Sequence, residues 1–261
     1  VISFHQVTSF VNHWLDQTNE HGIHSPFFFD FYRKVLRGPK PLTPFTAGIE
    51  QLRAKLLKNK SQVHMHDLGA GSAYTKAALR TVADIARQSA TPAKLAQLYQ
   101  RIAISAGAKK IIELGTNLGL TTLYLADKED TRVYTLEGSP ALANIAQLHF
   151  DFFAKKNITL MEGDIDATLP ELLQSPEKLG LVLMDANHRY DPTWRYYNQL
   201  MKRIGDKTVF IIDDIYYSPE MTRAWNEIRK HELVYGSIDL YRCGLLFFDP
   251  ALPKQHYVWA L

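Results

Sequence analysis

The segment Ile111-Ile-Glu-Leu-Gly-Thr-Asn-Leu-Gly119 places an acid and two glycines where an apolar run gives way to a helical pattern. Gly115 and Gly119 let the backbone approach a ligand with no Cβ in the way. A helix that begins there presents N–H groups without partners inside the helix. Dinucleotide-binding loops use Gly-x-Gly-x-x-Gly at this point to seat a pyrophosphate. Here Glu113 stands where the first of those glycines would be. A carboxylate is a poor neighbour for a pyrophosphate and a good one for a cation. Two more acids close later apolar runs, Glu137 and Asp164. An acid in the position of Glu137 can accept both ribose hydroxyl hydrogens, and Asp164 falls near the expected adenine. Taken singly, each acid reads more readily as a loop residue or helix cap. Three of them at successive run ends, with the glycines, point to a nucleoside-bearing cofactor.

These residues need strands that end where the acids begin. Short apolar runs at Lys110–Leu114, Val133–Glu137, Ile158–Glu162, Leu181–Asp185 and Val209–Asp213 supply them. The segments between show helical spacing and begin at Ser139-Pro140, Asp191-Pro192 and Ser218-Pro219, pairs that suit a helix start. Strands alternating with helices require a mostly parallel sheet. The pattern closes on Leu233–Tyr241 and Gly244–Asp249, which a short turn makes an antiparallel pair. Before residue 109 the chain reads as helices and loops. Phe4, Val7, Phe10, Val11 and Trp14 recur at helical spacing, an aromatic helix spans Phe27–Leu36, and Thr91-Pro92 opens a helix that buries Leu95, Leu98, Tyr99 and Ile102. Tyr74–Gln88 is expected to be helical.

The loop at 113–119, Glu137, Asp164 and the terminal antiparallel pair resemble the class I S-adenosylmethionine-dependent methyltransferases, over roughly residues 91 to 250. S-adenosylmethionine carries a sulfonium and an ammonium group, which accords with Glu113. The resemblance implies an α/β, Rossmann-like seven-stranded sheet with its last strand antiparallel, and an N-terminal helical extension. The extension would be residues 1–90 and the cofactor-binding methyltransferase domain residues 91–261. It implies cofactor contacts from Glu113, Gly115, Thr116, Asn117, Gly119, Glu137, Gly138, Asp164, Ile165 and Asp185.

A narrower resemblance lies in Leu181-Val-Leu-Met-Asp-Ala-Asn-His-Arg-Tyr190 and Phe210-Ile-Ile-Asp-Asp-Ile215. Both are similar to strand ends of the catechol and caffeoyl-CoA type O-methyltransferases, in a bacterial branch with an N-terminal extension. In that family an Asp after the fourth strand and an Asp-Asn pair after the fifth hold a divalent metal. By position the ligands would be Asp185, Asp213 and Asp214, with Asp214 departing from the Asn of the pattern. Oxygen ligands of this kind suit Mg²⁺ or another hard divalent cation. The family's general base is a Lys three residues after the first metal Asp, and this chain has His188 there. A histidine can take a proton from an acceptor hydroxyl near neutral pH. The resemblance thus gives a catalytic set of Asp185, His188 and Asp213. The bland alternatives are strand-end carboxylates that cap helices, and a histidine that only packs or holds water. Of Tyr216 and Tyr217, one could line the acceptor pocket.

The 261 residues, 46% of them hydrophobic, suffice for a substantial core. A net charge of +3 without a basic tract argues against a nucleic-acid-binding arm. Cys243 is the single cysteine, so an intrachain disulfide is excluded, and no apolar run reaches membrane-spanning length. With no signal peptide visible, a cytoplasmic enzyme acting on a small-molecule acceptor is the expectation, a homodimer being the default assembly. Two N-terminal segments remain. His21-Gly-Ile-His-Ser-Pro26 and His66-Asp-Leu-Gly-Ala-Gly-Ser72 read either as plain turns or as a lid with His24 and Ser72 touching substrate. Rival functions are methylation of RNA or protein, a nicotinamide dehydrogenase, and a non-catalytic Rossmann-like binding protein.

Overall fold

The computed structural model describes residues 3–39, 43–64 and 79–261. The chain forms two compact units, one of Val1–Pro39 with Ser175–Leu261 and the other of Lys40–Gln174. The boundary expected at residues 90 and 91 falls inside the second unit.

The first unit opens with α1 (Phe4–Asp16) and α2 (Pro26–Asp30), the latter continuing as a π-helical stretch over Phe31–Leu36. Ser3 and Gln6 form a capping box at the start of α1. The apolar stripe of α1 faces outward, against expectation: Phe4 is 85% and Trp14 62% exposed, with Val7, Phe10 and Val11 also exposed. The polar face packs inward instead. His5 Nε2 lies 2.9 Å from Thr222 Oγ1, Gln6 Nε2 donates to Tyr217 O at 3.4 Å, and Tyr241 Oη donates to Gln6 O at 2.8 Å. His13 Nε2 sits 3.2 Å from Asp239 Oδ1, both side chains almost fully buried. Specific polar partners fix which face docks here, and periodicity alone cannot report that.

The second unit holds α3 (Pro44–Leu56), β1 (Gln62–His64), β2 (Leu79–Thr81), α4 (Val82–Gln88) and α5 (Ala93–Ser105). It continues through β3 (Lys110–Leu114), α6 (Leu120–Leu125), β4 (Arg132–Glu137), α7 (Pro140–Phe152), β5 (Ile158–Glu162) and α8 (Ile165–Leu172). β1 and β2 form an antiparallel pair, so the helix expected over 74–88 is α4 alone within the described residues, preceded by a strand. Strands β3, β4 and β5 pair in parallel in that order. The core combines Ile49 and Leu56 of α3, Val82 and Ile85 of α4, Leu120, Leu123 and Tyr124 of α6, and Ala146 and Phe150 of α7. Thr91 does not cap α5: Pro92 is the N-cap, and it carries no side-chain hydrogen bond.

The first unit resumes with β6 (Leu181–Met184), α9 (Tyr190–Leu200), β7 (Val209–Asp213), α10 (Pro219–Ile228), β8 (Gly236–Asp239), β9 (Cys243–Phe247) and β10 (Gln255–Val258). β6 and β7 are parallel, and β9 runs antiparallel to both β7 and β8, as expected. β10 lies parallel to β8 and makes one strand more than the seven expected. Its four residues carry too little alternation to announce a strand. Of the three expected Pro-marked caps, only Ser218 accepts a backbone N–H, from Met221. Ser139 occupies the N-cap without that bond, and α9 starts one residue before Asp191. The architecture is that of the Rossmann-like α/β class: parallel strands, intervening helices and one antiparallel strand, β9. No helix among the described residues is long and apolar enough to cross a membrane.

Candidate active site

The cofactor-loop residues lie at the carboxyl ends of β3 and β4. Gly115 has φ 97°, Asn117 φ 52° and Gly119 φ 74°, so the chain turns three times through left-handed geometry. A Cβ on Gly119 would stand 2.6 Å from Phe150 Cε1, so glycine is needed there for space as well as for φ. The N–H groups of Gly115 and Thr116 donate to Leu136 O at 3.0 and 3.2 Å, which ties the loop to the neighbouring strand.

Glu113 is fully buried, and its Oε2 accepts from Thr122 Oγ1 and Thr135 Oγ1. Thr116 Oγ1 lies 2.6 Å from Thr135 Oγ1 and joins the same network. Glu113 Oε1 is buried without a hydrogen-bond partner among the described residues. Burial pushes this carboxyl up to about 7, against the two threonine hydroxyls that favour its charged form.

Glu137, at the end of β4, closes over the loop. Its Oε2 accepts from Asn117 N at 2.8 Å and its Oε1 from Ser139 N at 2.9 Å. Burial raises this carboxyl as well, opposed by the N–H groups of Ser139, Asn117, Thr116 and Gly138. Asn117 Nδ2 donates to Ser89 O at 2.8 Å, a tether from α4's end that nothing in the sequence signals. Gly138 is half-buried beside these groups. Asp164 caps α8, accepting from Asp166 N at 2.9 Å, while Ile165 is buried at the first helical position. Glu113, Thr116, Asn117 and Glu137 are thus linked by hydrogen bonds around one loop. Asp164 shares the C-terminal side of these parallel strands and has its own cap role.

The other expected residues lie at the carboxyl ends of β6 and β7. His188 Nε2 is 3.5 Å from Asp185 Oδ1, both half-buried. Burial pushes the His188 imidazole below its ordinary value; Asp214 opposes the shift and Arg242 adds to it. The Tyr217 ring lies 5.5 Å from the His188 ring, whereas Tyr216 Oη donates to Asp239 Oδ2 at 2.6 Å. Of the two tyrosines, Tyr217 is the one beside His188. Asn187, at φ 62°, donates from Nδ2 to Tyr196 Oη at 2.7 Å and pins the loop that carries His188. His24 is exposed. The segment His66–Ser72 lies outside the described residues.

Arg242 is the residue that the sequence reading missed. Its Nη2 is 3.0 Å from Asp214 Oδ1. The signal was topological: the β7–β9 register sets Cys243 opposite Asp213, so the residues after β7 and before β9 must meet.

The expected metal set does not fit a cage of oxygen ligands. Asp214 is paired with a guanidinium, Asp213 Oδ1 accepts the Asp214 N–H at 3.0 Å, and Asp185 faces His188. Among the described residues no three His, Cys, Asp or Glu side chains gather as metal ligands. Oxygen ligands would have to converge within about 2.0–2.6 Å of one point.

Residues 112–215 match a family model described as a methyltransferase domain. A comparison with curated protein sequences finds no match. Solved structures share the fold. An O-methyltransferase from Bacillus cereus in complex with S-adenosylhomocysteine is 17% identical, over 83% of this chain and 93% of that one, with a TM-score of 0.56. An O-methyltransferase of tomaymycin synthesis from Streptomyces achromogenes, in complex with S-adenosylmethionine, is 21% identical over 61% and 81%, at 0.55. A candidate caffeoyl-CoA O-methyltransferase from Staphylococcus aureus is 12% identical over 64% and 88%, at 0.56. Residues 112–215 therefore match a methyltransferase domain, and the chain shares the fold of these O-methyltransferase structures.

Proposed function

We propose that this chain transfers the methyl group of S-adenosylmethionine to a hydroxyl oxygen of a small molecule. The observation that carries the reading is the loop of the matched domain, turned through three left-handed residues and closed by the Glu137 carboxylate. An ionised carboxylate accepts about four hydrogen bonds; Asn117 N and Ser139 N take one on each Glu137 oxygen, and the ribose hydroxyls take the remaining lone pairs. Gly115, Thr116, Asn117, Gly119 and Gly138 admit the methionine part, and Asp164 with Ile165 places the adenine. Glu113 balances the ligand's positive charge.

On the acceptor side, His188 takes the hydroxyl proton and Asp185 orients the ring. The acceptor oxygen then attacks the methyl carbon in line. The carbon–sulfur bond breaks with its electron pair going to sulfur, and a neutral thioether leaves. Because the methyl group arrives activated, the protein's task is mainly alignment and exclusion of water. Asp213 accepts the Asp214 N–H and so fixes the turn after β7. Residues 91–261 form the catalytic domain in this reading, with 1–90 its extension. A homodimer in the cytoplasm, where the buried Cys243 thiol stays reduced, completes it.

The test is transfer of a tritiated methyl group from S-adenosylmethionine to a panel of phenols and catechols. His188→Ala should lower kcat by about 10²–10⁴-fold, the range for loss of a general base. The KM for S-adenosylmethionine should stay within about threefold. Unchanged kcat in that variant would remove His188 from the mechanism.

A further inference from the structure

Helix α1 is held by one face and leaves an apolar seam open on another. His5, Gln6, Ser9 and His13 share the docked face: Ser9 and His13 are buried, and His5, Gln6 and His13 meet Thr222, Tyr217 and Asp239 of their own unit. Along the open side Phe4, Val7, Val11 and Trp14 recur at intervals of three, four and three residues, the spacing by which two helices pair along a common line. Val7 and Val11 are about half exposed, Phe4 and Trp14 more so, and the exposed Phe10 and Leu15 flank them.

We propose that this seam is a self-association surface: two copies of the chain pair through antiparallel α1 helices, about a two-fold axis that passes between Val7 and Val11. The statement gives the homodimer reading above its interface, and so rests on it. The sizes along the seam are symmetric about its middle. The two large rings stand at positions 4 and 14 and the two valines at 7 and 11, each pair equally far from Ser9. Turned end for end, the seam matches itself, so that Phe4 of one copy meets Trp14 of the other and Val7 meets Val11. A two-fold interface requires this self-complementarity, because each of its contacts occurs twice. The valines let the two backbones approach at the axis, and the rings close the ends. The exposed parts of the six apolar side chains come to roughly 700 Å² per copy, so a pair covers on the order of 1,400 Å², the size of a specific interface. A lipid surface suits the seam less well. Helices that lie on anionic membranes carry Lys and Arg on the polar face, and residues 1–16 contain neither. The thirteen residues of α1 make just under two heptads, so the pairing is weak enough to be reversible.

Sedimentation velocity of the full chain should show a monomer–dimer equilibrium with a Kd on the order of 1–100 µM. Val7→Glu places two carboxylates beside the axis and should raise that Kd at least 30-fold. Trp14→Ala is milder and should raise it at least tenfold, while below the Kd the separated chain unfolds as the parent does. Register is read by cross-linking, since the native Cys243 is buried. A mixture of Phe4→Cys and Trp14→Cys chains should form a disulfide-linked pair under mild oxidation. Phe4→Cys alone should not, because antiparallel pairing sets its two copies about 15 Å apart along the helices. None of these readouts needs methyl transfer. A chain that stays monomeric throughout, whether or not it binds vesicles of anionic lipid, would overturn the homodimer reading and this interface together. A dimer that Val7→Glu leaves intact and that gives no mixed cross-link would keep the homodimer and overturn this interface alone.

Discussion

Glu113 shows what a single residue contributes and what it costs. The sequence presents it as an acid in a glycine loop, and the structure buries it completely beneath two threonine hydroxyls. Its carboxyl is raised from 4.5 to about 7. A group raised on folding binds more protons in the native state than in the unfolded chain between those two values. Its favourable contribution is present below pH 4.5 and is lost as the pH rises through 7, by about 3 kcal/mol in all. Glu113→Gln removes the ionisation while keeping the shape. Its melting temperature should exceed that of the parent at pH 8 and approach it near pH 4.5. A lower melting temperature at pH 8 would mean that the carboxylate is stabilised by partners other than those described. The direction of this effect was not legible in the sequence, because motif spacing places an acid but not its depth. Arg242 was hidden for a related reason: its role depends on strand register across β7 and β9, and not on neighbours in the chain.

Element by element, alternation of short apolar runs with helical segments located the parallel strands β3 to β7, most plainly β3, β6 and β7, which are buried throughout and read as apolar runs. Lys110–Leu114, Ile158–Glu162 and Val209–Asp213 stand where they were expected. The departures have physical causes. β10 is short, and Ser139 sits at the N-cap of α7 without making the side-chain bond that the Ser-Pro pair suggested. Helix α1 is the larger departure, since its docking is decided by His5, Gln6 and His13 instead of by its apolar residues. Trp14→Ala should therefore change the unfolding free energy by no more than about 0.5 kcal/mol, the range for exposed positions. His13→Ala should cost about 2–4 kcal/mol, because it leaves the buried Asp239 carboxylate short of a hydrogen-bond partner. Denaturant titration of the two variants checks this, and the reverse ranking would show that the apolar face is the one that docks. In the cofactor loop, Gly119→Ala forces a side chain into left-handed geometry against Phe150. It should destabilise by about 2–4 kcal/mol, read in the same way, and weaken cofactor binding by displacing the loop.

At the scale of the molecule, the cofactor residues around the 113–119 loop share one compact unit with the α3, α4, α6 and α7 core. Asp185, His188, Asp213, Asp214 and Arg242 share the other with α1 and the antiparallel strands. The ordered acids at strand ends were enough to suggest the class of cofactor. At the metal set implied by the family pattern, the position that would be Asn is Asp214, and a guanidinium pairs with it. The central claim is that this chain uses S-adenosylmethionine. Calorimetric titration with S-adenosylhomocysteine, run beside NAD, tests it most directly. The account predicts micromolar binding of S-adenosylhomocysteine, no binding of NAD, and at least a tenfold loss of affinity in Glu137→Ala. Binding of NAD with none of S-adenosylhomocysteine would contradict it.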